Sequence, residues 1–259
     1  MSFGSVGFVG CGRITRILLK LLTSRGLRRV VASDSEDTAR ARVAGAFPMA
    51  EVTGDNRAAA AQELVFLAVH PPVLKGVLAD IAPTLRADAV VVSLAPVLTI
   101  AALRELARGF GRFARMIPNA PSLLGQGYNP VAYAAELDAA TRQHLGTLFD
   151  LWGAHPEVEE ATLETYAVLT AMGPTYLWFQ LEKLRELGVR FGLSGPAIDE
   201  GLAATVRGAA ALLLESGLPP GEILDTIPVH PLKEREANIR AVYEELLPAL
   251  WAKLKPRSD

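Results

Sequence analysis

The chain has 259 residues, of which half are hydrophobic and 21% are charged, as is typical of a globular protein of one or two domains. Its formal net charge of −2 gives no general attraction to nucleic acid or to anionic membranes. A single cysteine, Cys11, excludes an intramolecular disulfide and a cysteine-based zinc site. The four histidines are scattered without ligand spacing, so we predict no metal.

The first residues, MSFGSVGFVGCG, lack the basic segment and the long apolar stretch of a secretory signal. No apolar segment reaches the roughly 18–20 residues that a membrane helix needs. We therefore expect a cytoplasmic protein that does not act at a membrane.

Strand and helix patterns alternate over residues 1–160, which predicts a parallel sheet with helices on both faces. Compact apolar runs predict strands at Ser5–Val9, Val30–Ser33, Leu64–Val69, Ala89–Leu94 and Arg112–Met116. Longer periodic patterns predict helices at Arg13–Arg25, Glu36–Ala44, Pro72–Ile81, Ile100–Arg108 and Ala139–Trp152. The fold class is therefore α/β, with an N-terminal Rossmann domain over residues 1–160.

Residues 161–259 carry only helical periodicity, which predicts a second, all-helical domain. The predicted helices are Thr162–Met172, Tyr176–Phe191, Pro196–Ser216 and Lys233–Leu254. The stretch Leu202–Leu214 is apolar on nearly every face, and such a helix is normally buried. A partner subunit is a natural cover in so small a domain. We therefore predict a homodimer or a higher homo-oligomer through these helices.

A glycine turn joins the first predicted strand to the first predicted helix, in the sequence VGFVGCGRIT. Gly10 would allow the tight turn, and Gly12 would let the backbone approach a pyrophosphate at the positive end of the helix. Thr15 replaces the third glycine of the usual fingerprint, and Cys11 only has to be small. The strand before this turn and the helix after it predict a dinucleotide site.

Asp34 follows the second predicted strand and bears on the choice of cofactor. A carboxylate there accepts hydrogen bonds from a ribose 2′-hydroxyl and repels a 2′-phosphate, so it favours NAD over NADP. Asp34 could instead cap the helix that follows it. Arg40 and Arg42 could alternatively reach a phosphate.

Several segments together resemble the Δ1-pyrroline-5-carboxylate reductase family, and they extend over most of the chain. The opening GFVGCGRIT is similar to the family's GFIGxGNMA, and LAVHP at residues 67–71 is similar to its AVKP turn. The most specific segment is RMIPNAP at residues 115–121 with Gly125 and Gly127, which resembles R-x-MPN-x-P-x-x-x-G-x-G. Gly173, Pro174 and Tyr176 resemble a later helix start, and residues 208–220 resemble the helix G-AA-LL-ESG-P.

The resemblance implies an NAD(P)H-dependent reductase that transfers hydride to the C=N bond of a cyclic imine. Pyrroline-5-carboxylate, the precursor in proline biosynthesis, is the first candidate for this small-molecule substrate. It also implies a helical domain that interlocks with its partner in a homodimer. A protonated imine is already electrophilic, so the enzyme mainly positions the reactants, and we predict no particular catalytic side chain.

Carried over by position, the resemblance assigns both halves of the site. The cofactor would contact Gly10, Cys11, Gly12, Arg13, Ile14, Asp34, Ser35, Asn56, Ala68, Val69, His70, Pro71, Ser93 and Ala95. The candidates near the substrate are Asn119, Thr170, His230 and Lys233. His230 and Lys233 carry hydrogen-bond donors and lie in a segment that differs from the family's.

The sequence also departs from the family. His70 replaces its lysine, Ser93–Val97 replaces its S-x-AAG turn, and Met172 replaces a serine. The family's SPGGTT motif, which binds the substrate carboxylate, is replaced by IPVHPLK at residues 227–233. Two alternatives therefore stay open: a reductase of a different imine, and a non-catalytic dinucleotide-binding dimer that acts as a redox sensor or regulator. A dehydrogenase of a C–O bond ranks last, because no helical lysine is well placed for it.

Overall fold

A computed structural model describes residues 3–22 and 29–255 of the chain. It divides into two compact units. The first runs to Met172 and takes in the chain end from Leu250, and the second is Gly173–Ala249. The sequence-based domain boundary at residue 160 stays a prediction.

Among the described residues, the first unit contains the strands, seven whole α-helices and the end of another. The strands are β1 (Ser5–Val9), β2 (Arg29–Ser33), β3 (Ala50–Thr53), β4 (Leu64–Leu67), β5 (Val90–Ser93), β6 (Phe113–Met116), β7 (Gly127–Tyr128), β8 (Val131–Tyr133) and β9 (Gly153–Ala154). The helices are α1 (Arg13–Leu22), α2 (Asp37–Ala46), α3 (Asn56–Ala60), α4 (Pro71–Ile81), α5 (Ile100–Leu106), α6 (Ala139–Phe149) and α7 (Leu163–Tyr166).

The main sheet has the strand order β3-β2-β1-β4-β5-β6-β8. Its strands are parallel except for β8, which is antiparallel to β6. The order of the first six strands is that of a Rossmann fold, in which ligands bind beyond the carboxyl ends of β1 and β4, where the strand order reverses. The predicted fold class, a Rossmann domain followed by a helical region, is confirmed.

Apolar side chains cover both faces of this sheet. Leu18, Phe149 and Trp152 pack on one face, while Leu74 and Leu103 pack on the other. Each fully buried side chain of this kind stabilises the fold by roughly 1.5–3 kcal/mol. The Trp152 indole Nε1 donates a hydrogen bond to the Leu18 carbonyl at 3.0 Å, so a residue that follows α6 in the chain holds α1 in place.

The second unit consists of α8 (Gly173–Arg190), α9 (Gly195–Glu215), α10 (Pro220–Asp225) and most of α11 (Lys233–Leu254). A Cβ on Gly188 would lie 2.9 Å from the Ile198 side chain, so α8 and α9 pack closely at this glycine. Within residues 173–249, these two residues alone are buried. No helix in the described ranges has the length and apolar character needed to cross a membrane.

The structure differs from the sequence prediction at particular elements. Six of the short elements, β3, β7, β8, β9, α3 and α10, were not predicted from the sequence. Helix α1 ends at Leu22, and the predicted extension to Arg25 falls outside the described residues. The predicted helix Thr162–Met172 is divided, because a π-helical turn, Ala167–Ala171, follows α7.

Candidate active site

The turn after β1 brings three strand ends together at Gly10. The Gly10 N–H donates to the Ser33 carbonyl at 2.7 Å, and the Ala68 N–H donates to the Val9 carbonyl at 2.8 Å. Gly10 has a φ of +110°, and a Cβ there would lie 2.6 Å from the Ala68 carbonyl oxygen. Any other residue would therefore strain the backbone and collide with the strand beside it.

The start of α1 is open in the way a phosphate requires. Gly12 and Arg13 are exposed, and among the described residues only the chain neighbours of Gly12 lie within 4 Å of the place that a Gly12 Cβ would occupy. The first-turn amides have no carbonyl partner within the helix, and the helix dipole favours an anion there. Thr15, in place of the third glycine, is buried, and its hydroxyl donates to the Gly10 carbonyl at 2.6 Å. The residues present therefore fit the pyrophosphate of a dinucleotide.

Asp34 is already engaged by the backbone. Its Oδ2 accepts the Cys11 N–H at 2.8 Å, and its Oδ1 accepts the Glu36 N–H at 2.9 Å. Asp34 does not cap α2, because this helix begins at Asp37 and its N-cap residue is Glu36. The bond to the Glu36 N–H closes a turn before the helix, and the bond to the Cys11 N–H braces the glycine turn. Each carboxylate oxygen retains a second lone pair, so a ribose hydroxyl can still donate to Asp34.

Arg40 lies beside Asp34. Its Nη1 donates to the Asp34 carbonyl at 2.6 Å, and its Nη2 forms an ion pair with Asp37. Of the two arginines considered from the sequence, Arg40 is thus the one that the structure places beside Asp34. Asp34, Asp37 and Arg40 together leave an excess of negative charge at the end of β2.

Cys11 lies in the turn but is buried. Burial raises the pKa of its thiol to about 12, the nearby Asp34 carboxylate adds to the rise, and Arg40 opposes it. The thiol is therefore protonated at physiological pH, where it serves as a small apolar side chain.

The remaining predicted cofactor residues lie at or just after strand ends. Asn56 Oδ1 accepts the Ser33 hydroxyl at 2.9 Å, which places Asn56 beside the end of β2. Ala68 and Val69 are partly exposed beyond β4, while Ser93 and Ala95 are buried at the end of β5. The exposed residues are Ser35 after β2 and His70 at the N-cap of α4, and Pro71 and Ile14 are half-buried. These positions are grouped at one edge of the sheet, and their contacts with a cofactor stay predictions.

The structure brings two of the candidate substrate residues together in the first unit. Asn119 Nδ2 donates to the Thr170 carbonyl at 3.3 Å, and Asn119 Oδ1 accepts the Tyr128 N–H at 3.1 Å. The Thr170 hydroxyl donates to the Tyr166 carbonyl at 2.8 Å. Both side chains thus brace the π-helical turn, which is a structural role that the sequence did not reveal.

The other two candidates lie together in the second unit. The Lys233 N–H donates to the His230 carbonyl at 3.1 Å, and His230 Nε2 lies 3.2 Å from the Leu224 carbonyl oxygen. Both residues line an open groove of about 1210 Å³. Its walls are mostly apolar and include Leu213, Ile227 and Tyr243. The groove therefore combines an apolar lining with charged side chains of both signs, the cations Lys233 and Arg240 and the anions Glu236 and Glu244.

Sequence reasoning missed a buried ion-pair cluster in the first unit. Arg115 is fully buried, and its guanidinium contacts Glu164 at 2.5 Å and Glu160 at 3.0 Å. Glu164 in turn accepts the N–H of Val97, a residue with a φ of +82°. Glu160 and Glu164 are one helical turn apart in the sequence, but nothing in the sequence indicates that they pair with Arg115 or bind the loop before α5.

Comparison with known proteins agrees with this geometry. Residues 5–96 match the sequence model of a family described as NADP oxidoreductase coenzyme F420-dependent. The pyrroline-5-carboxylate reductase of Pseudomonas aeruginosa is 28% identical over 226 residues, which are 86% of this chain and 83% of that protein. The chain is thus similar to pyrroline-5-carboxylate reductases over most of its length. The resemblance seen in its motifs is confirmed, as is the predicted class of NAD(P)-dependent oxidoreductases.

Solved structures of pyrroline-5-carboxylate reductases share the fold. The pyrroline carboxylate reductase of Plasmodium falciparum, solved with NADP bound, superposes with a TM-score of 0.80 at 20% identity and covers 97% of both chains. The pyrroline-5-carboxylate reductase from Coxiella burnetii gives a TM-score of 0.75 at 21% identity and covers 100% of both chains. At these identities the likeness shows the fold alone.

The charges at the end of β2 give a prediction about the cofactor preference of this chain. We expect Asp34→Asn to raise the affinity for NADPH relative to NADH about tenfold, because one negative charge near a 2′-phosphate is removed. Titration of both reduced cofactors by fluorescence measures the ratio. Arg40→Gln is the matched control and should move the ratio the other way. Equal weakening of both cofactors by Asp34→Asn would show that Asp34 only braces the turn.

Proposed function

We propose that this chain is an NAD(P)H-dependent reductase of the C=N bond of a cyclic imine, with pyrroline-5-carboxylate as the first candidate substrate. The observation that carries the proposal is the open glycine turn at Gly10 and Gly12, placed where β1 and β4 end. Relatives named pyrroline-5-carboxylate reductase, which align with 86% of the chain, support the choice of substrate.

The residues of the first unit would bind and orient the cofactor. The amides at the start of α1 would hold the pyrophosphate, and Asp34 with Arg40 would face the adenosine ribose. Ala68 and Val69, partly exposed and apolar, would line the nicotinamide half and exclude water. When bound, the reduced nicotinamide supplies the hydride. The protein's contribution is then mainly to fix the two reactants in position, which accounts for the absence of a predicted catalytic acid.

The groove residues are our candidates for recognition of the substrate carboxylate. The segment 227–233 has prolines at 228 and 231, which lack N–H donors, so it cannot bind an anion as a run of backbone amides would. Lys233 is a permanent cation, and His230 has a ring N–H. These side chains would supply the donors that the threonines of the family motif supply elsewhere.

The direct test is an assay of the purified chain with pyrroline-5-carboxylate and either NADH or NADPH. We expect loss of the absorbance of the reduced cofactor in step with proline formation. Turnover of another cyclic imine alone would reassign the substrate but keep the reaction. Cofactor binding without turnover of any imine would contradict the proposal and favour the redox sensor or regulator.

A second test addresses the proposed carboxylate contacts. We expect His230→Ala and Lys233→Ala each to raise the KM for a carboxylate-bearing imine about tenfold, because each removes one charge-assisted or neutral hydrogen bond. The KM for the reduced cofactor should not change. Arg235→Ala, an exposed cation on the same helix that does not line the groove, is the control. An unchanged substrate KM in both variants would remove these residues from the site.

We further propose that the chain forms a homodimer through the second unit. Its support is the exposed apolar surface there: Trp178, Phe179, Phe191 and Leu214 are 54%, 63%, 76% and 77% exposed. Apolar surface of this extent usually marks an interface between proteins.

The mass in solution tests this assembly. Light scattering coupled to size exclusion should give at least twice 27.7 kDa, and Leu214→Glu should shift the mass toward the monomer because a buried charge opposes association. Met49→Glu makes the same kind of change at an exposed position of the first unit and should leave the mass unaltered. A monomer for the unmodified chain would overturn the assembly.

A further inference from the structure

Val97 has a backbone conformation that a valine rarely adopts. Its φ is +82°, and it is one of two non-glycine residues with positive φ in the described chain. A β-branched residue is strained in this region, so it stays there only when its surroundings hold it. Val97 lies in the loop between β5 and α5, which begins with two of the predicted cofactor residues, Ser93 and Ala95.

Two carboxylates hold this loop, one at its middle and one where α5 begins. Glu164 Oε1 accepts the Val97 N–H at 3.0 Å, and Glu160 Oε1 accepts the Ile100 N–H at 2.6 Å. The two glutamates, which we name the carboxylate clamp, come from the segment around the start of α7. The clamp therefore fixes the loop through its backbone and does not depend on the loop's side chains.

Arg115 fixes the clamp itself. Its guanidinium binds Glu164 through Nη2 and Glu160 through Nη1, and its side chain has no exposed surface. Glu164 is almost as fully buried, so solvent does not screen this pair. Arg115 also lies beside Ser93 in the sheet register, and the Ser93 hydroxyl has no hydrogen-bond partner among the described residues. Arg115 and its ion pair thus lie beside the end of β5, from which the loop starts.

Packing does not explain why a valine occupies this place. Val97 is only partly buried, so its side chain adds little to the core. A glycine would adopt the same φ without strain. Strained residues held by their surroundings cluster at ligand sites, where they position a group that must not move.

We propose that Glu164, oriented by Arg115, is a positioning residue: it holds Val97 in the left-handed conformation and so fixes the β5–α5 loop against the nicotinamide half of the cofactor. This inference rests on the proposed function, because it takes the edge of the sheet as the cofactor site. Removing the Val97–Glu164 bond should loosen the cofactor even where the chain stays folded.

The experiment is a double-mutant cycle between positions 97 and 164. Glu164→Gln keeps the shape and an acceptor oxygen but loses the charge, so we expect about tenfold weaker binding of the reduced cofactor, measured by fluorescence. Val97→Gly should bind within about threefold of the unmodified chain. In the double variant Val97→Gly/Glu164→Gln, binding should return to the level of Val97→Gly alone, because glycine needs no clamp.

Val97→Thr is the matched control for this cycle. Threonine keeps the β-branch and nearly the volume, so Val97→Thr/Glu164→Gln should bind as weakly as Glu164→Gln. A purely structural role for Glu164 would not give a rescue that depends on the β-branch. Hydrogen exchange of the Val97 amide should speed up in Glu164→Gln, and the melting temperature shows that each variant is folded.

Two results would overturn the inference. One is a folded Glu164→Gln variant that binds the cofactor as the unmodified chain does. The other is a double variant whose loss of binding equals the product of the two single losses. Neither readout needs an imine. A chain that binds the cofactor but reduces no imine would therefore contradict the proposed function, while the double-mutant cycle could still be measured. An unmodified chain that binds neither cofactor overturns both.

Discussion

The cofactor half of this molecule depends on one close approach of backbone to backbone. At Gly10 the turn after β1 passes so near the Ala68 carbonyl that a Cβ would lie 2.6 Å from its oxygen. The same strand meets α3 at Gly7, where a Cβ would lie 1.9 Å from the Ala59 carbonyl oxygen. Because neither glycine has a side chain, β1 can pack closely against β4 and α3. Helix α1 therefore begins close to the point where the strand order reverses. This close packing leaves the backbone amides at the start of α1 exposed.

Much of the fold could be predicted because its strongest patterns come from complete burial. Strands β1, β4 and β5 are covered on both faces, so they form continuous apolar runs that a sequence displays plainly. Strand β3 lies at the edge of the sheet, contains the exposed Glu51 and shows no such run. The π-helical turn after α7 is only five residues long, and over this length a sequence pattern cannot distinguish a π-helix from an α-helix.

The site was predictable to the extent that it depends on local geometry. Gly10, Gly12 and Thr15 belong to one turn, and their roles follow from backbone conformation and the dipole of a single helix. The bond from Cys11 to Asp34 depends on how two strands lie side by side, so only the structure shows that Asp34 braces the turn. Val97 and Glu164 are far apart in sequence, and a valine gives no signal for a left-handed turn. Sequence patterns indicate the backbone conformation that each residue prefers, whereas Glu164 holds Val97 in a conformation that valine disfavours.

The last turn of α11 belongs to the first unit, although the chain before it builds the second. Trp251 Nε1 donates to the Thr165 hydroxyl at 3.0 Å, and Leu254 packs on the small cluster that contains Ile117 and Leu163. In terms of chain order, the second unit is an insertion between two pieces of the first. During synthesis, the first unit can acquire its sheet early, but it cannot cover this cluster until α11 has left the ribosome.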